Sequence, residues 1–417
     1  MKGIGYFLFS FVVFYVKVSC AQTDDLLTTF QGEKIASAME WEMQRRAEIL
    51  YYFEQEIYGM QVQIPTSFQM QPKLVLKEEV RYGSAVVEHQ EWLLDWVDTK
   101  SGKSKLKVPL SLFLPRSQKS KGIFISLNFF GNATIDTLKT IPFNTSYIPK
   151  NEKFKIVKNQ LTEASRGTSA WRWPLAEILG SGYALATCYA GDFAPDQRTH
   201  FREGVLQFDR RSRRFNRHAS GNVGAWAWGL NQMLAAVQGI EEFSGVPSIV
   251  IGHSRLGKAA LWAGVTNSRW DMVISNNSGC LGAAQSKRPV GEDVYRITKR
   301  FPYWFARRCK HYAKHEERFS LDQQMLLALV APRPLYVASA IQDEWADPEG
   351  EYLSWCYAQE VYRLFSDLEK VPCQFPAVNQ PQIEKALSMG YHVRKGDHDI
   401  TLYDWKRYVE FADLYFH

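Results

Sequence analysis

Short, almost wholly apolar runs recur along the chain, separated by segments that place apolar residues at helical spacing. Such runs are typical of strands buried on both faces of a parallel sheet, and the intervening segments predict helices that cover those faces. The pattern therefore predicts a doubly wound α/β sheet, without the regular spacing of a repeat protein. The predicted strands are Ile123–Leu127, Tyr183–Tyr189, Ile249–Ile251, Met272–Ser275 and Leu335–Ala340.

The first third of the chain has a different pattern. Met39–Glu54 lacks Gly and Pro and spaces its apolar residues as a helix does, so we predict a helix that ends before Gly59. Three alternating runs, Lys73–Glu78, Ser84–Trp92 and Val108–Leu114, then predict antiparallel strands that lead the sheet.

Further helices are predicted at Pro174–Leu179, Asn222–Phe243 and Tyr403–Tyr408. Between Ile135 and Trp171 no clear period is present, and loops of that length are usually functional or mobile.

The stretch from Ile249 to Trp262 combines an apolar strand, a Gly-x-Ser turn and a helix-favouring segment. This is the context of a nucleophile elbow, which makes Ser254 the candidate nucleophile. A serine on such a turn projects its oxygen above the sheet edge, where a histidine can take its proton and a backbone N–H can bind an oxyanion. Because Gly-x-Ser alone is a weak signal, the assignment depends on partners downstream.

Those partners are a base near the end of the chain and an acid after a late strand. His398 lies in a turn before a predicted helix and is preferred as the base over His392, which lies in a strand-like run. Asp343 is the acid nearest the end of the Leu335–Ala340 strand, with Asp347 as the alternative. The order serine, acid, histidine is that of α/β-hydrolases, so the expected fold is their three-layer sandwich, a mostly parallel central sheet with helices on both faces.

Composition and the N-terminus bear on location and partners. The 417 residues are 46% hydrophobic, enough for a large core. Residues 1–21 resemble a secretory signal peptide, leaving 22–417 as a single catalytic domain, and lipid attachment at Cys20 is a less favoured alternative. Removing Lys2 and Lys17 from 50 basic residues against 44 acidic ones would leave a net charge of +4, too mild for a nucleic-acid partner. We expect a secreted or periplasmic monomer without a membrane span.

Two further groups of residues leave alternatives open. The five cysteines after the signal peptide show no zinc spacing and could form at most two disulfides within the chain, so we expect no metal or cofactor. Arg172, between Trp171 and Trp173, could bind a carboxylate or stack on a sugar, or simply lie over aromatic surface. The basic run Arg210–Arg214 is expected to be a solvated face.

The motif Gly252-His253-Ser254-Arg255-Leu256-Gly257-Lys258 resembles the signature of glucuronoyl esterases, carbohydrate esterase family 15. The resemblance to bacterial members covers nearly all of the chain after the signal peptide. The other matching segments are 171–174, 276–284, 343–348 and 396–399.

This resemblance implies hydrolysis of the ester between 4-O-methyl-glucuronic acid of glucuronoxylan and a lignin alcohol. It implies Ser254 as nucleophile, His398 as base and Arg255 as oxyanion stabiliser. Lys258 and Glu292 would bind sugar hydroxyls, and Trp345 would line the sugar site.

The sequence departs from the family pattern at two positions. Some members carry the triad acid as glutamate where this chain has Asn277, which cannot act as the anion and so favours Asp343. Leu281 replaces a common glycine.

Three other functions compete with this interpretation. An acetyl-xylan esterase or related deacetylase would use the same triad, and a weakly catalytic carbohydrate-binding member would keep the fold. A peptidase has no support beyond the triad.

Overall fold

A ten-stranded sheet forms the centre of the protein. The computed structural model describes residues 25–83, 85–116, 118–209, 216–369 and 372–417, so the predicted signal peptide, Cys20 and the basic run at 210–214 lie outside the described residues. In chain order the strands are β1 (Phe68–Tyr82), β2 (Ala85–Asp98), β3 (Ser104–Pro115), β4 (Gly122–Asn128), β5 (Tyr183–Tyr189), β6 (Ser248–His253), β7 (Met272–Asn276), β8 (Leu335–Ala340), β9 (Gln382–Glu384) and β10 (Met389–Arg394).

The order of strands across the sheet is β1-β2-β3-β5-β4-β6-β7-β8-β10-β9. Six neighbouring strands are parallel, namely β5, β4, β6, β7, β8 and β10. Strands β1, β2 and β3 lie antiparallel at one side of these six, and β9 pairs antiparallel with β10 at the other. The mostly parallel sheet predicted from the sequence is therefore confirmed. Because the carboxyl ends of parallel strands share one edge, loops that follow β6, β8 and β10 can meet there.

The parallel strands are apolar throughout because each contributes side chains to two cores. Phe124 faces one apolar cluster, and its neighbours Ile123 and Ile125 face the other. One face of the sheet is covered by helices Leu175–Gly180 and Leu402–Ala412. The opposite face carries the N-terminal helical segment and the helices Asn222–Gln238, Arg255–Thr266, Gln323–Ala328 and Pro348–Tyr362.

Several predicted boundaries differ from the observed ones. The N-terminal helical segment is divided into α-helix Ala38–Glu40, π-helix Trp41–Arg45, α-helix Arg46–Phe53 and π-helix Glu54–Tyr58. The helix predicted over Asn222–Phe243 ends at Gln238, followed by a separate 3₁₀ turn. Strand β1 is far longer than predicted, since its exposed polar side chains hide the period outside its middle. Four α-helices were not predicted, namely Ala190–Phe193, Val294–Arg300, Gln323–Ala328 and Pro348–Tyr362.

The long segment between β4 and the helix Leu175–Gly180 is attached to the core although it has little regular structure. Ile141, Ile148 and Ile156 are buried in the same apolar cluster as the sheet. Side chains at irregular spacing thus hold this segment in place, which a search for periodicity does not detect.

One disulfide joins Cys356, in the helix Pro348–Tyr362, to Cys373. Cys188, Cys280 and Cys309 are buried thiols. Among the described residues, no helix combines the length and apolar character needed to cross a membrane.

Candidate active site

Ser254 occupies a strained turn between β6 and the helix Arg255–Thr266. Its φ of 58° and ψ of −132° lie where L-residues rarely occur, and such strain is found mainly at functional sites. The turn requires glycine at position 252, because a Cβ there would lie 2.0 Å from the carbonyl oxygen of Leu256. The Gly-x-Ser pattern therefore reflects the close approach of strand and helix, which leaves Ser254 at the sheet edge.

His398 connects Ser254 to Asp343. Its Nε2 lies 2.7 Å from Ser254 Oγ, and its Nδ1 lies 2.5 Å from Asp343 Oδ2. These residues follow β10, β6 and β8, respectively, at the edge where the strands end. The spacing matches a serine, a base that can accept its proton, and a carboxylate that orients the base.

The alternative acid and base are occupied elsewhere. Asp347 is the N-cap of the helix Pro348–Tyr362. It accepts a hydrogen bond from Gly350 N (3.0 Å) and forms an ion pair with Arg288 (2.9 Å). His392 is buried on β10, with Nε2 3.0 Å from Asp404 Oδ1. Within the described residues, neither side chain forms a hydrogen bond or an ion pair with His398 or Ser254.

Asp343 is held in its anionic form. Burial alone would raise the pKa of this carboxyl, but its hydrogen bond and charge interaction with His398 and a hydrogen bond from Asn277 lower the pKa below its ordinary value. The Asn277 amide donates to Asp343 Oδ2 at 2.9 Å. Asparagine at position 277 thus supports the acid without replacing it, a role that we did not predict.

The side chain of Arg255 is fixed by a carboxylate and an aromatic ring. Its Nε donates to Asp196 Oδ2 at 2.8 Å, and its guanidinium carbon lies 4.5 Å from the centre of the Phe129 ring. Asp196 also accepts hydrogen bonds from Tyr303 Oη (3.0 Å) and Trp304 Nε1 (2.7 Å). Sequence reasoning missed Asp196 and Phe129, because neither belongs to a motif and both come to Arg255 only through the fold.

Lys258 is buried one helical turn after Ser254. It donates to the carbonyl oxygens of Ser278 and Cys280, the latter at 2.5 Å. Burial raises the pKa of Glu292, while the positive charge of Lys258 opposes that increase. Glu292 N donates to the carbonyl of Trp345 (2.9 Å), whose side chain is 48% exposed. The structure thus brings Lys258, Glu292 and Trp345 together as polar and aromatic groups beside the turn.

Arg172 also lies over Phe129, with its guanidinium carbon 5.7 Å from the ring centre. Its Nε donates to Asp399 Oδ1 at 2.6 Å, and Trp171 Nε1 donates to the other oxygen of Asp399 at 2.9 Å. Since Asp399 follows His398, this arginine braces the loop of the histidine. Arg172 thus packs over an aromatic ring and forms an ion pair, and its contact with a substrate stays a prediction.

The buried ion pair between Arg394 and Asp404 also supports the loop that carries His398. Arg394, at the end of β10, donates to Asp404 Oδ2 at 2.8 Å and to the carbonyl oxygens of Asp397 (3.0 Å) and Asp399 (2.5 Å). These bonds connect the loop of His398 to the last strand and to the helix Leu402–Ala412.

No group of three or more His, Cys, Asp or Glu side chains with the arrangement of metal ligands is found in the described parts of the chain.

The strand order and this edge geometry place the chain among the serine hydrolases of the α/β-hydrolase fold. A family model described as "Glucuronyl esterase, fungi" matches residues 196–366. Carbohydrate esterase MZ0003, from an unknown prokaryotic organism, is 37% identical over 402 residues, which is 93% of this chain and 88% of that protein. The chain belongs to carbohydrate esterase family 15, and it is a carboxylic ester hydrolase.

Two further comparisons agree with this family. The structure of a glucuronoyl esterase from Solibacter usitatus superposes with a TM-score of 0.83 at 33% identity, covering 95% of this chain and 99% of that one. The 4-O-methyl-glucuronoyl methylesterase of Podospora anserina is 26% identical over 182 residues, 39% of this chain and 38% of that protein.

Proposed function

We propose that this esterase hydrolyses the ester between the carboxyl of 4-O-methyl-glucuronic acid on glucuronoxylan and an alcohol of lignin. The position of His398, within hydrogen-bond distance of both Ser254 and Asp343, carries the proposal of a serine esterase mechanism. The names of the relatives from Solibacter usitatus and Podospora anserina support the uronate as the acyl group.

In the first half of the reaction, Ser254 Oγ attacks the ester carbonyl carbon while its proton passes to His398 Nε2. Asp343 keeps the imidazole in the orientation that directs Nε2 at the serine and stabilises the imidazolium. The carbonyl oxygen becomes an oxyanion. The ester C–O bond then breaks, and the alcohol leaves with the proton held by His398.

In the second half, water attacks the acyl-enzyme carbonyl and gives a proton to His398. Breaking the bond to Ser254 Oγ releases the uronate, and the proton returns to the serine. Both tetrahedral intermediates carry negative charge beside Arg255. Its guanidinium and the backbone N–H at the start of its helix supply positive potential there, and removing one such donor typically costs about 100- to 1000-fold in rate.

The groups beside the turn suit a sugar acid better than an acetyl group. Lys258 and Glu292 offer a cation and a carboxylate for sugar hydroxyls, and the exposed ring of Trp345 offers an apolar face. An acetyl ester would leave these groups without a ligand.

The test is hydrolysis of benzyl D-glucuronate beside acetylated xylan and p-nitrophenyl acetate, with the wild type and Ser254→Ala. We expect the glucuronate ester to be cleaved much faster than either acetate and the serine variant to be inactive on all three. Faster acetate release would reject the uronate assignment while keeping Ser254. Hydrolysis that persists in Ser254→Ala would reject the nucleophile.

We further propose that the protein is exported. Lys2, the apolar run that follows it and the small residues before position 22 support cleavage after Ala21. N-terminal sequencing of the protein recovered from cell fractions tests this. A protein that begins at Met1 would reject export by this signal, and a lipid-linked Cys20 would favour the anchored alternative.

A further inference from the structure

His253 lies directly before Ser254 at the end of β6, and its ring packs against the imidazole of His398. The two ring centres are 4.7 Å apart and the two planes are tilted by 41°. His253 is buried, whereas the side chain of His398 is 43% exposed. Within the described residues, His253 supplies the only aromatic ring found against His398. His253 has no place in the triad or among the groups that would bind the sugar.

Asn276, at the end of β7, fixes the orientation of the His253 ring. The Nδ1 atom of His253 lies 2.6 Å from Asn276 Oδ1. The amide nitrogen of Asn276 donates to Asp404 Oδ1 at 3.2 Å and to Tyr408 Oη at 2.7 Å. Since a carboxylate only accepts, the nitrogen of this amide must face Asp404 and its oxygen must face His253. His253 Nδ1 therefore carries a proton and donates to Asn276 Oδ1.

The ring of His253 is uncharged. Burial lowers the pKa of His253 well below its ordinary value. The positive charges of His398 and of two arginines, Arg172 and Arg394, act in the same direction, and the hydrogen bond to Asn276 opposes them without reversing the effect. The ring is therefore a neutral aromatic surface, and it adds no positive charge beside His398 when that base accepts the serine proton.

The hydrogen bonds of His398 leave the tilt of its ring to other contacts. Nδ1 lies 2.5 Å from Asp343 Oδ2, and Nε2 lies 2.7 Å from Ser254 Oγ. The bond at Nε2 changes during the reaction, because the serine proton moves to Nε2 and then to the leaving alcohol. Asp343 then restrains the ring at one atom, about which the ring can still tilt. The ring of His253, packed against His398, limits that movement.

Asp404 anchors both the ring of His253 and the loop that carries His398. Through Asn276 it fixes the ring of His253, and through its ion pair with Arg394 it fixes two carbonyl oxygens of the loop. Asp404 is itself fully buried. One buried carboxylate thus supports His398 both at its ring and at its backbone.

We propose that His253 is a positioning residue for the catalytic base: its neutral, buried ring packs against the imidazole of His398 and keeps Nε2 directed at Ser254. The inference rests on the proposed serine esterase mechanism. It gives His253 neither a proton transfer nor a contact with the substrate. Loss of the ring should therefore lower kcat and leave KM nearly unchanged, because the groups that bind the substrate stay in place.

The test separates the ring of His253 from its hydrogen bond. His253→Phe keeps a flat ring and loses the donor, whereas His253→Asn keeps an N–H donor at the position of Nδ1 and loses the ring. If His253→Asn does not fold, His253→Leu takes its place as the variant without a ring. His89→Asn is the matched control, because His89 is also buried and stacked on a ring (Phe113, 4.8 Å), but lies on β2, separated from β6 by three strands.

Each variant is assayed on benzyl D-glucuronate below its own Tm, with kcat and KM determined separately. We expect His253→Asn to lower kcat about 10- to 100-fold, since displacing a catalytic group by about 1 Å can cost about 100-fold in rate. His253→Phe should keep most of the wild-type kcat, although losing the hydrogen bond to Asn276 should lower its Tm. His89→Asn should lower Tm and leave kcat unchanged.

A proton NMR signal reports on His398 without substrate. The short hydrogen bond between His398 Nδ1 and Asp343 should give a proton resonance far downfield of the other N–H signals. We expect this resonance to be sharp in the wild type, His253→Phe and His89→Asn. It should be broadened or lost in His253→Asn, because a tilting ring exposes the proton to exchange with water. A role in stability alone would not change this signal in the folded protein.

A wild-type kcat in His253→Asn would overturn the proposal, and so would an equal loss of kcat in His253→Asn and His253→Phe. A lower kcat in His253→Asn with an unchanged downfield resonance would also overturn it, because His398 would then be held without the ring. A wild type that fails to cleave benzyl D-glucuronate, or a Ser254→Ala variant that cleaves it, rejects the proposed function instead. The resonance then still shows whether His253 holds His398.

Discussion

Asp196 should act on catalysis through Arg255, and Asp196→Asn isolates that effect. The substitution keeps the size of the side chain and one acceptor oxygen for Tyr303 and Trp304. In the wild type, Arg255 Nε lies 2.8 Å from the carboxylate of Asp196. The substitution removes that negative charge and places either the amide N–H₂ or a neutral oxygen opposite Arg255 Nε. Arg255 then loses the partner that holds its guanidinium against Phe129.

The magnitude follows from burial. A hydrogen bond to a charged group contributes about 1.5–3 kcal/mol, and the side chains of Asp196 and Arg255 are 17% and 26% exposed. Solvent screening of a partly exposed pair places the loss near the lower limit, about 1.5 kcal/mol. If that loss adds fully to the activation free energy, kcat falls about tenfold. This decrease is smaller than the roughly 100- to 1000-fold expected for removing the Arg255 side chain.

The assay is steady-state hydrolysis of benzyl D-glucuronate, with kcat and KM determined separately, in wild-type and Arg255→Ala backgrounds. We expect Asp196→Asn to lower kcat about tenfold in the first background and to have little effect in the second. Asp95→Asn is the matched control, since Asp95 is a buried, ion-paired residue on β2, separated from β6 by three strands. An equal decrease in both backgrounds would refute the argument that Asp196 acts by positioning Arg255.

Three further predictions concern the acid, a buried glutamate and the disulfide. Asp343→Asn should lower kcat on benzyl D-glucuronate by about 10³- to 10⁴-fold. Asp347→Asn should mainly lower Tm through loss of the ion pair with Arg288, since an asparagine oxygen can still cap the helix, and the reverse result would assign the acid to Asp347. Burial raises the pKa of Glu351 to about 8, so the folded state binds more protons than the unfolded state from about pH 4.3 upward, and stability should fall as pH rises to about 8. Urea unfolding of Glu351→Gln should lack this fall, and an unchanged pH dependence would contradict it. Replacing Cys356 and Cys373 with serine should lower the free energy of unfolding by about 3 kcal/mol, given a separation of 17 residues, and an unchanged urea midpoint would count against a stabilising role.

The features that could be predicted from sequence have local causes. The apolar runs around Ile125 and Val250 predict buried parallel strands because each side chain there meets one core or the other. The turn at Ser254 is recognisable because close packing of strand and helix needs glycine at fixed positions. Asp343 and His398 could be selected because both follow late strands, and the ends of such strands share one edge of the sheet.

The remaining features depend on residues that are distant in sequence. Asp196 meets Arg255 across 59 positions of chain, and no spacing rule connects a loop carboxylate to an arginine that far away. Asp399, the partner of Arg172, is farther still, 227 positions along the chain, so the sequence left the role of Arg172 open. The pairing of Cys356 with Cys373 was one of several that the cysteine count allowed. Strand β9 has only three residues, too few for a period to be visible.

The buried pair of Arg394 and Asp404 has a consequence for heat inactivation. Because Arg394 binds the carbonyls of the histidine loop and Asp404 belongs to the last helix, loosening the loop requires breaking bonds that connect it to the core around β10. Breaking such a pair leaves a buried charge without a partner, at a cost of about 3–5 kcal/mol. We therefore expect the catalytic edge and the core to unfold as one cooperative unit. On heating, hydrolysis and the far-ultraviolet circular dichroism signal should disappear in a single transition, with no inactive but folded state between them.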